Sequence, residues 1–174
     1  ISLDSRYMFF VACARSTGAG GCDIYYSIRE GDSWSPAINL GANVNTRHWE
    51  TCPSLSPTGD ELYFASTRPG GLGKSDIWKC KVEIQSNGHL KFSEAVNLGP
   101  TINTPDDEYS PFIHADNQTL YYSSKGMKGL GGYDVYVSYK DGNGGWTAPK
   151  NMGYPINTCK DEVGFIVNAH GDKA

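Results

Sequence analysis

Residues 54–78 read Ser-Leu-Ser-Pro-Thr-Gly-Asp-Glu-Leu-Tyr-Phe-Ala-Ser-Thr-Arg-Pro-Gly-Gly-Leu-Gly-Lys-Ser-Asp-Ile-Trp. Two short runs rich in apolar, aromatic and β-branched residues flank a Gly-rich turn, which is the pattern of an antiparallel hairpin. Its core recurs as Asp23-Ile24-Tyr25, Asp76-Ile77-Trp78 and Asp134-Val135-Tyr136, at spacings of 53 and 58 residues. Self-similarity at that period marks a repeat architecture.

Further positions agree in the same order. A bulky aromatic precedes an Asn-Leu/Met-Gly triplet by five residues: Trp34 with Asn39-Leu40-Gly41, Phe92 with Asn97-Leu98-Gly99, Trp146 with Asn151-Met152-Gly153. Then come Val44-Asn45-Thr46 with Glu50, Ile102-Asn103-Thr104 with Glu108, and Ile156-Asn157-Thr158 with Glu162, each Glu four residues after its Thr. The second unit carries extra residues around Ser86-Asn87-Gly88-His89, a composition suited to a surface hairpin. No segment shows a sustained helical stripe.

Each unit therefore reads as about four short antiparallel strands, the signature of a β-propeller blade. The expected organisation is all-β: blade 1 over 1–53 with an incomplete inner strand, blade 2 over 54–111, blade 3 over 112–165, and the inner strand of a fourth over 166–174. Three blades and the start of another imply a segment of a larger, six-bladed propeller.

Composition narrows the function. Fifteen Lys and Arg against nineteen Asp and Glu, a formal net charge of −4, supply no footprint for nucleic acid or an acidic membrane. An apolar content of 39% excludes a disordered chain, and no apolar run is long enough for direct membrane insertion as a helix. The first residues, Ile1-Ser2-Leu3-Asp4, have no Met, basic region or apolar stretch and do not read as a signal peptide.

The 54–78 stretch, followed by Asn97-Leu98-Gly99-Pro100-Thr101-Ile102-Asn103-Thr104, resembles the TolB-type, WD-like propeller repeat found in OmpA-family envelope proteins. The resemblance spans nearly the whole chain. It implies a periplasmic or outer-membrane-associated, non-catalytic propeller whose partners are other envelope proteins, in some relatives within the type IX secretion and gliding apparatus. Peptidoglycan contact would come only through domains outside these 174 residues. The first unit departs from the pattern, with Arg6-Tyr7-Met8-Phe9-Phe10 in place of the Gly-x-x-Leu-Tyr-Phe strand.

Candidate residues follow from the repeat. Asp23, Asp76 and Asp134 are expected to accept backbone hydrogen bonds where the third strand begins. Arg15 and Arg68, with Lys125 in the third unit, are expected to pair with Glu50, Glu108 or Glu162 between neighbouring blades near the channel rim. Cys13 and Cys22 flank one hairpin loop, where a disulfide fits an oxidising compartment. No metal, cofactor or catalytic residue is assigned: the Gly-rich loops join strands rather than open helices, and their period does not suit a calcium β-roll. The alternative is a carbohydrate-binding or carbohydrate-processing propeller of glycosidase or sialidase type. It would use Asp106-Asp107-Glu108 as acids and Trp34, Trp49 and Trp146 as stacking platforms.

Overall fold

The computed structural model describes residues 1–171 and 173–174. The described residues form strands and loops and no helix. Blade 1 holds β1 (Tyr7–Cys13), β2 (Cys22–Glu30), β3 (Ser33–Trp34) and β4 (Ile38–Asn39). Blade 2 holds β5 (Glu50–Leu55), β6 (Glu61–Ser66), β7 (Asp76–Ile84), β8 (Leu90–Phe92) and β9 (Val96–Asn97). Blade 3 holds β10 (Glu108–Ile113), β11 (Thr119–Ser124), β12 (Asp134–Tyr139) and β13 (Lys150–Asn151). All ladder pairings are antiparallel, and each full blade runs in sequence order from its inner to its outer edge.

Strand alternation divides the core between two interfaces. On β6 and β7, Leu62, Phe64, Trp78, Cys80 and Val82 face blade 1, where they meet Ile24, Tyr26, Leu40 and Val44. Tyr63 and Ile77 turn the other way and join Ile113, Leu120, Tyr122 and Trp146 of blade 3. Both faces of blade 2 are thus covered, and Leu62, Phe64 and Ile77 are fully buried. Each such side chain contributes about 1.5–3 kcal/mol by leaving water.

Three details differ from the sequence reading. The inner strands begin at Glu50 and Glu108, four residues ahead of the expected boundaries at 54 and 112. Each is interrupted by a bulge, between Thr51 and Ser54 and between Tyr109 and Phe112. Cys52 and Ser110 adopt φ of 52° and 51° there, so a Pro-containing segment that reads as a loop is the entry of a strand. The outer strand is in two pieces in blades 1 and 2, and in blade 3 a lone Lys140–Trp146 bridge stands for the first piece; at the break Ser35, Ser93 and Thr147 use a side-chain oxygen to take the amides of Ile28, Lys81 and Tyr139 that a ladder partner would otherwise take. Finally, the described residues of 166–174 form no strand, and no other strand of the described residues lies alongside them in a ladder.

Candidate functional site

The loop face carries the Gly-rich loops 14–21, 67–75 and 125–133 together with the crossing loops 41–49, 99–107 and 153–161. Its construction starts with the repeated Asp. Asp76 is 2% exposed and accepts from Leu72 N at 2.6 Å, Gly73 N at 3.1 Å and Asn97 Nδ2 at 3.1 Å. Asp23 makes the same set with Ala19, Gly20 and Asn39. Asp134 holds Leu130 N and Gly131 N, but the Asn151 amide nitrogen lies buried without a partner among the described residues. Each Asp folds its Gly-rich loop back on itself. Glycine is needed at Gly73 and Gly131 by close approach: a Cβ would run into the carbonyl oxygens of Thr104 and Asp106, or of Thr158 and Lys160, in the next crossing loop.

A second device ties each crossing loop to the blade before it. Asn103 takes Ile77 N at 2.8 Å and donates to Ile77 O at 2.9 Å, so one side chain substitutes for a ladder partner. Asn45 does this with Ile24, and Asn157 with Val135. All three Asn are visible in the sequence as invariant members of the repeat, yet their role depends on three-dimensional proximity to the third strand.

The repeated Glu is the third device. Glu50 and Glu108 are fully buried. Glu50 accepts from Thr46 N at 2.8 Å, Thr46 Oγ1 at 2.8 Å and Ser66 Oγ at 2.7 Å, and Arg68 Nη2 lies 3.4 Å from its Oε1. Arg68 also donates to Val44 O and packs over the Phe64 and Trp78 rings. The expected Arg-Glu pair therefore exists in blade 2, but within one blade, with the link to blade 1 made through a carbonyl. Glu108 repeats the Thr104 and Ser124 contacts without a cation among the described residues. Gly126 occupies the place of Arg68, two residues after Ser124, and Lys125, one residue earlier, instead stands 5.8 Å from the Tyr133 ring centroid. Arg15 lies 5.0 Å from the Tyr25 ring centroid and makes no ion pair among the described residues. Glu162 holds Thr158 N at 3.0 Å and Thr158 Oγ1 at 2.5 Å.

Burial pushes the Glu108 carboxyl above its usual value, against the lowering effect of the Thr104 and Ser124 hydrogen bonds. A raised folded-state value means that the native state takes up a proton before the unfolded chain does. The burial penalty on the carboxylate is complete above the folded-state value and disappears as the pH falls toward the unfolded value of about 4.3. Glu108→Gln removes the burial penalty but sets an NH2 that cannot accept against one of these donors, so it is expected to cost about 1–3 kcal/mol at pH 7. Wild type should gain on the variant as the pH is lowered through the folded-state value, as urea titrations at several pH values will show; a pH-independent difference would contradict this.

Cys13 and Cys22, directly opposed on β1 and β2, are joined by a disulfide. It closes the blade 1 loop at the end that Glu50 and Glu108 clamp in the other blades. Cys13→Ser with Cys22→Ser is expected to cost about 2–3 kcal/mol from loop-closure entropy, measured by urea unfolding with and without reductant. Equal midpoints for the two proteins would sink it.

The remaining side chains on this face are unlike one another. Trp49 is 55% exposed, Leu72 43% and Leu130 57%. Lys74 and Asp106 form an exposed pair at 2.7 Å. Elsewhere, an apolar groove of about 400 Å³ is lined by Leu3, Tyr7, Leu55, Val82, Ile84 and Leu90 at the opposite end of the blade 1–blade 2 interface. Among the described residues, no three His, Cys, Asp or Glu side chains are grouped to hold a metal ion.

This arrangement defines a β-propeller segment, and solved structures share it. A protein of Agrobacterium tumefaciens provisionally assigned as TolB matches with a TM-score of 0.55 and 18% identity, over 87% of this chain and 47% of its own. TolB of Acinetobacter baumannii matches with a TM-score of 0.52 and 16% identity, over 87% of this chain and 31% of its own. A provisional 6-phosphogluconolactonase of Bacteroides uniformis gives 0.50 and 17%, over 98% and 43%. The chain spans less than half the length of each, and identities this low show the fold alone. No protein-family model and no curated protein sequence matches the chain.

Proposed function

We propose that the chain is a non-catalytic β-propeller scaffold of the bacterial cell envelope that binds other proteins through its loop face. The observation that carries this reading is the division of labour on that face. The acids Asp23, Asp76, Asp134, Glu50 and Glu108 are buried and occupied in holding backbone amides and hydroxyls. They leave a rigid frame on which Trp49, Leu72 and Leu130 are displayed, the usual way a scaffold positions variable binding residues. The fully buried Glu108 is a poor candidate for the paired acid of a glycosidase, which counts against the carbohydrate-processing alternative. The Cys13–Cys22 disulfide supports an extracytoplasmic location. Service in a secretion or gliding complex is the finer form of the proposal and rests on the repeat's resemblance.

The test is capture of envelope proteins by wild type and by Trp49→Ser/Leu72→Ser/Leu130→Ser, read by cross-linking and mass spectrometry. The triple variant is expected to lose the captured proteins while its unfolding free energy stays within about 1 kcal/mol of wild type, as for exposed substitutions. Unchanged capture would reject the loop face. Tryptophan fluorescence that responds to glycans and not to envelope proteins would favour the carbohydrate reading.

A further inference from the structure

The turns at the end of the blades away from the loop face repeat one another. Ser2 N donates to Tyr7 O as Ser56 N does to Glu61 O and His114 N to Thr119 O, and Ser5, Gly59 and Asn117 take a positive φ at the same turn position. Val82 N and Lys140 N then donate to Asp60 O and Gln118 O, so Val82 and Lys140 are counterparts too. Between blades 2 and 3 the residues at these places close the seam: Lys140 Nζ lies 3.2 Å from Glu61 Oε2, and Asn117 Nδ2 donates to Thr58 Oγ1 at 3.3 Å. Between blades 1 and 2 the same places hold Val82 facing Tyr7, and Gly59 facing Asp4, so neither cross-link can form.

The apolar groove of about 400 Å³ stands open at this seam. Tyr7, Val82 and Leu90 are buried at its floor, while Leu3 and Ile84, 80% and 56% exposed, form its lips. One wall is the β7–β8 hairpin, latched to blade 1 by the Tyr7 hydroxyl on Gly88 O at 2.9 Å and by Leu90 N on the Tyr26 hydroxyl at 3.2 Å. A fixed, mostly apolar concavity of this size with few polar groups is the usual form of a small-ligand site. The hydroxyls that line it already donate within the protein: Ser2 to Asp4 Oδ1, Thr58 to Asp60 and Tyr7 to Gly88 O. The Ser2 hydroxyl and the Arg6 amide, both on Asp4 Oδ1, hold the Asp4 carboxyl below its usual value. Asp4 Oδ2 meets no donor and no cation among the described residues, since the Arg6 guanidinium lies over the Tyr7 ring. The lining side chains thus offer a ligand one anionic acceptor and no donor.

We propose that this groove binds a small apolar amine, with its hydrocarbon body against Leu55, Val82, Ile84 and Leu90 and its ammonium group on Asp4 Oδ2. An acid of the same shape would meet the Asp4 charge and find no side-chain donor. The site lies at the other end of the blades from the loop face, so it stands or falls separately from the protein-binding role. The repeat itself supplies a way to close it. Gly59 has a φ of 76° and nothing within 4 Å of where a Cβ would stand, and Asn117 holds the same turn position with a φ of 56°. Gly59→Asn therefore fits the backbone and directs an amide toward Asp4 as the Asn117 amide is directed toward Thr58.

Decylammonium and decanoate, each below its micelle-forming concentration, are titrated into the whole chain while the methyl signals of Leu3, Leu55, Val82, Ile84 and Leu90 are followed by NMR. Decylammonium is expected to shift these signals to saturation, and decanoate to bind about tenfold more weakly or worse, the worth of one hydrogen bond to a charged group. Asp4→Asn should bring the two ions within about threefold of each other, and Gly59→Asn should weaken decylammonium by about tenfold or more. Unshifted methyl signals of Ile77 and Leu120, at the blade 2–blade 3 interface, show that both variants are folded. Equal binding of the two ions to wild type, decylammonium binding that survives Gly59→Asn, or shifts that spread beyond the groove would each overturn the proposal. Tighter binding of the acetylated peptide amide Leu-Phe-Lys than of decylammonium would also overturn it, in favour of a protein segment as the occupant.

Discussion

Glu50→Ala is expected to lower the unfolding free energy by about 3–5 kcal/mol, the range seen when one partner of a buried ion pair is removed. At about 2–4 °C per kcal/mol for a chain of this size, the thermal midpoint should fall by roughly 10 °C or more. The loss has two parts. Thr46 N, Thr46 Oγ1 and Ser66 Oγ all lose their acceptor. Arg68 is left as a cation whose side chain is only 10% exposed. Burial already pulls the Arg68 guanidinium below its ordinary value while the Glu50 charge opposes it, so deleting that charge leaves only the unfavourable effect. Glu50→Ala/Arg68→Met removes the stranded cation and should recover at least half of the loss. A single-variant cost below about 1 kcal/mol would show that the clamp is not what holds the inner edge.

Asp76→Ala is the second large effect, at about 3–4 kcal/mol, because Leu72 N, Gly73 N and Asn97 Nδ2 converge on one carboxylate and each unsatisfied buried donor costs about 1–3 kcal/mol. The total is less than three full penalties since the loop amides can regain water. Asp23→Ala removes the same contacts in blade 1, but the Cys13–Cys22 disulfide still closes that loop, so its cost should be smaller. Urea unfolding of the two variants, with limited proteolysis across residues 70–74, checks the order. A larger loss at Asp23 would mean that the disulfide does not share the work.

Much of this frame is legible in the sequence. Asp76, Asn97, Asn103 and Glu108 each recur in every unit, and a residue needed for one local hydrogen-bond pattern is needed wherever the blade is rebuilt. The disulfide site is legible because Cys13 and Cys22 sit at the two ends of one hairpin. Other features depend on reach and on neighbours. That Arg68 reaches Glu50 while Arg15, at the same distance from its Asp, reaches no carboxylate of the described residues depends on what lies beside each loop, which spacing does not carry; the unpaired Glu108, by contrast, follows from Gly126 standing where Arg68 stands in blade 2. The bulged entry at Thr51-Cys52-Pro53 resembles a loop locally and becomes strand only because β6 lies alongside it. The 162–168 segment shows the converse, a strand-like sequence without a partner strand.

The Asn clasp has a consequence for how the molecule comes apart. Asn45, Asn103 and Asn157 each bind a peptide group only 21, 26 and 22 residues earlier in the chain, so every blade is fastened chiefly to its immediate neighbours. Such a chain approximates a linear array in which stability passes from unit to unit rather than through one shared centre. Opening should therefore start at the two outer units and reach β6 and β7 last. Amides such as those of Phe64 and Ile77 are expected to exchange with solvent more slowly than those of β2 or β12, a gradient along the array that a single undivided core would not produce.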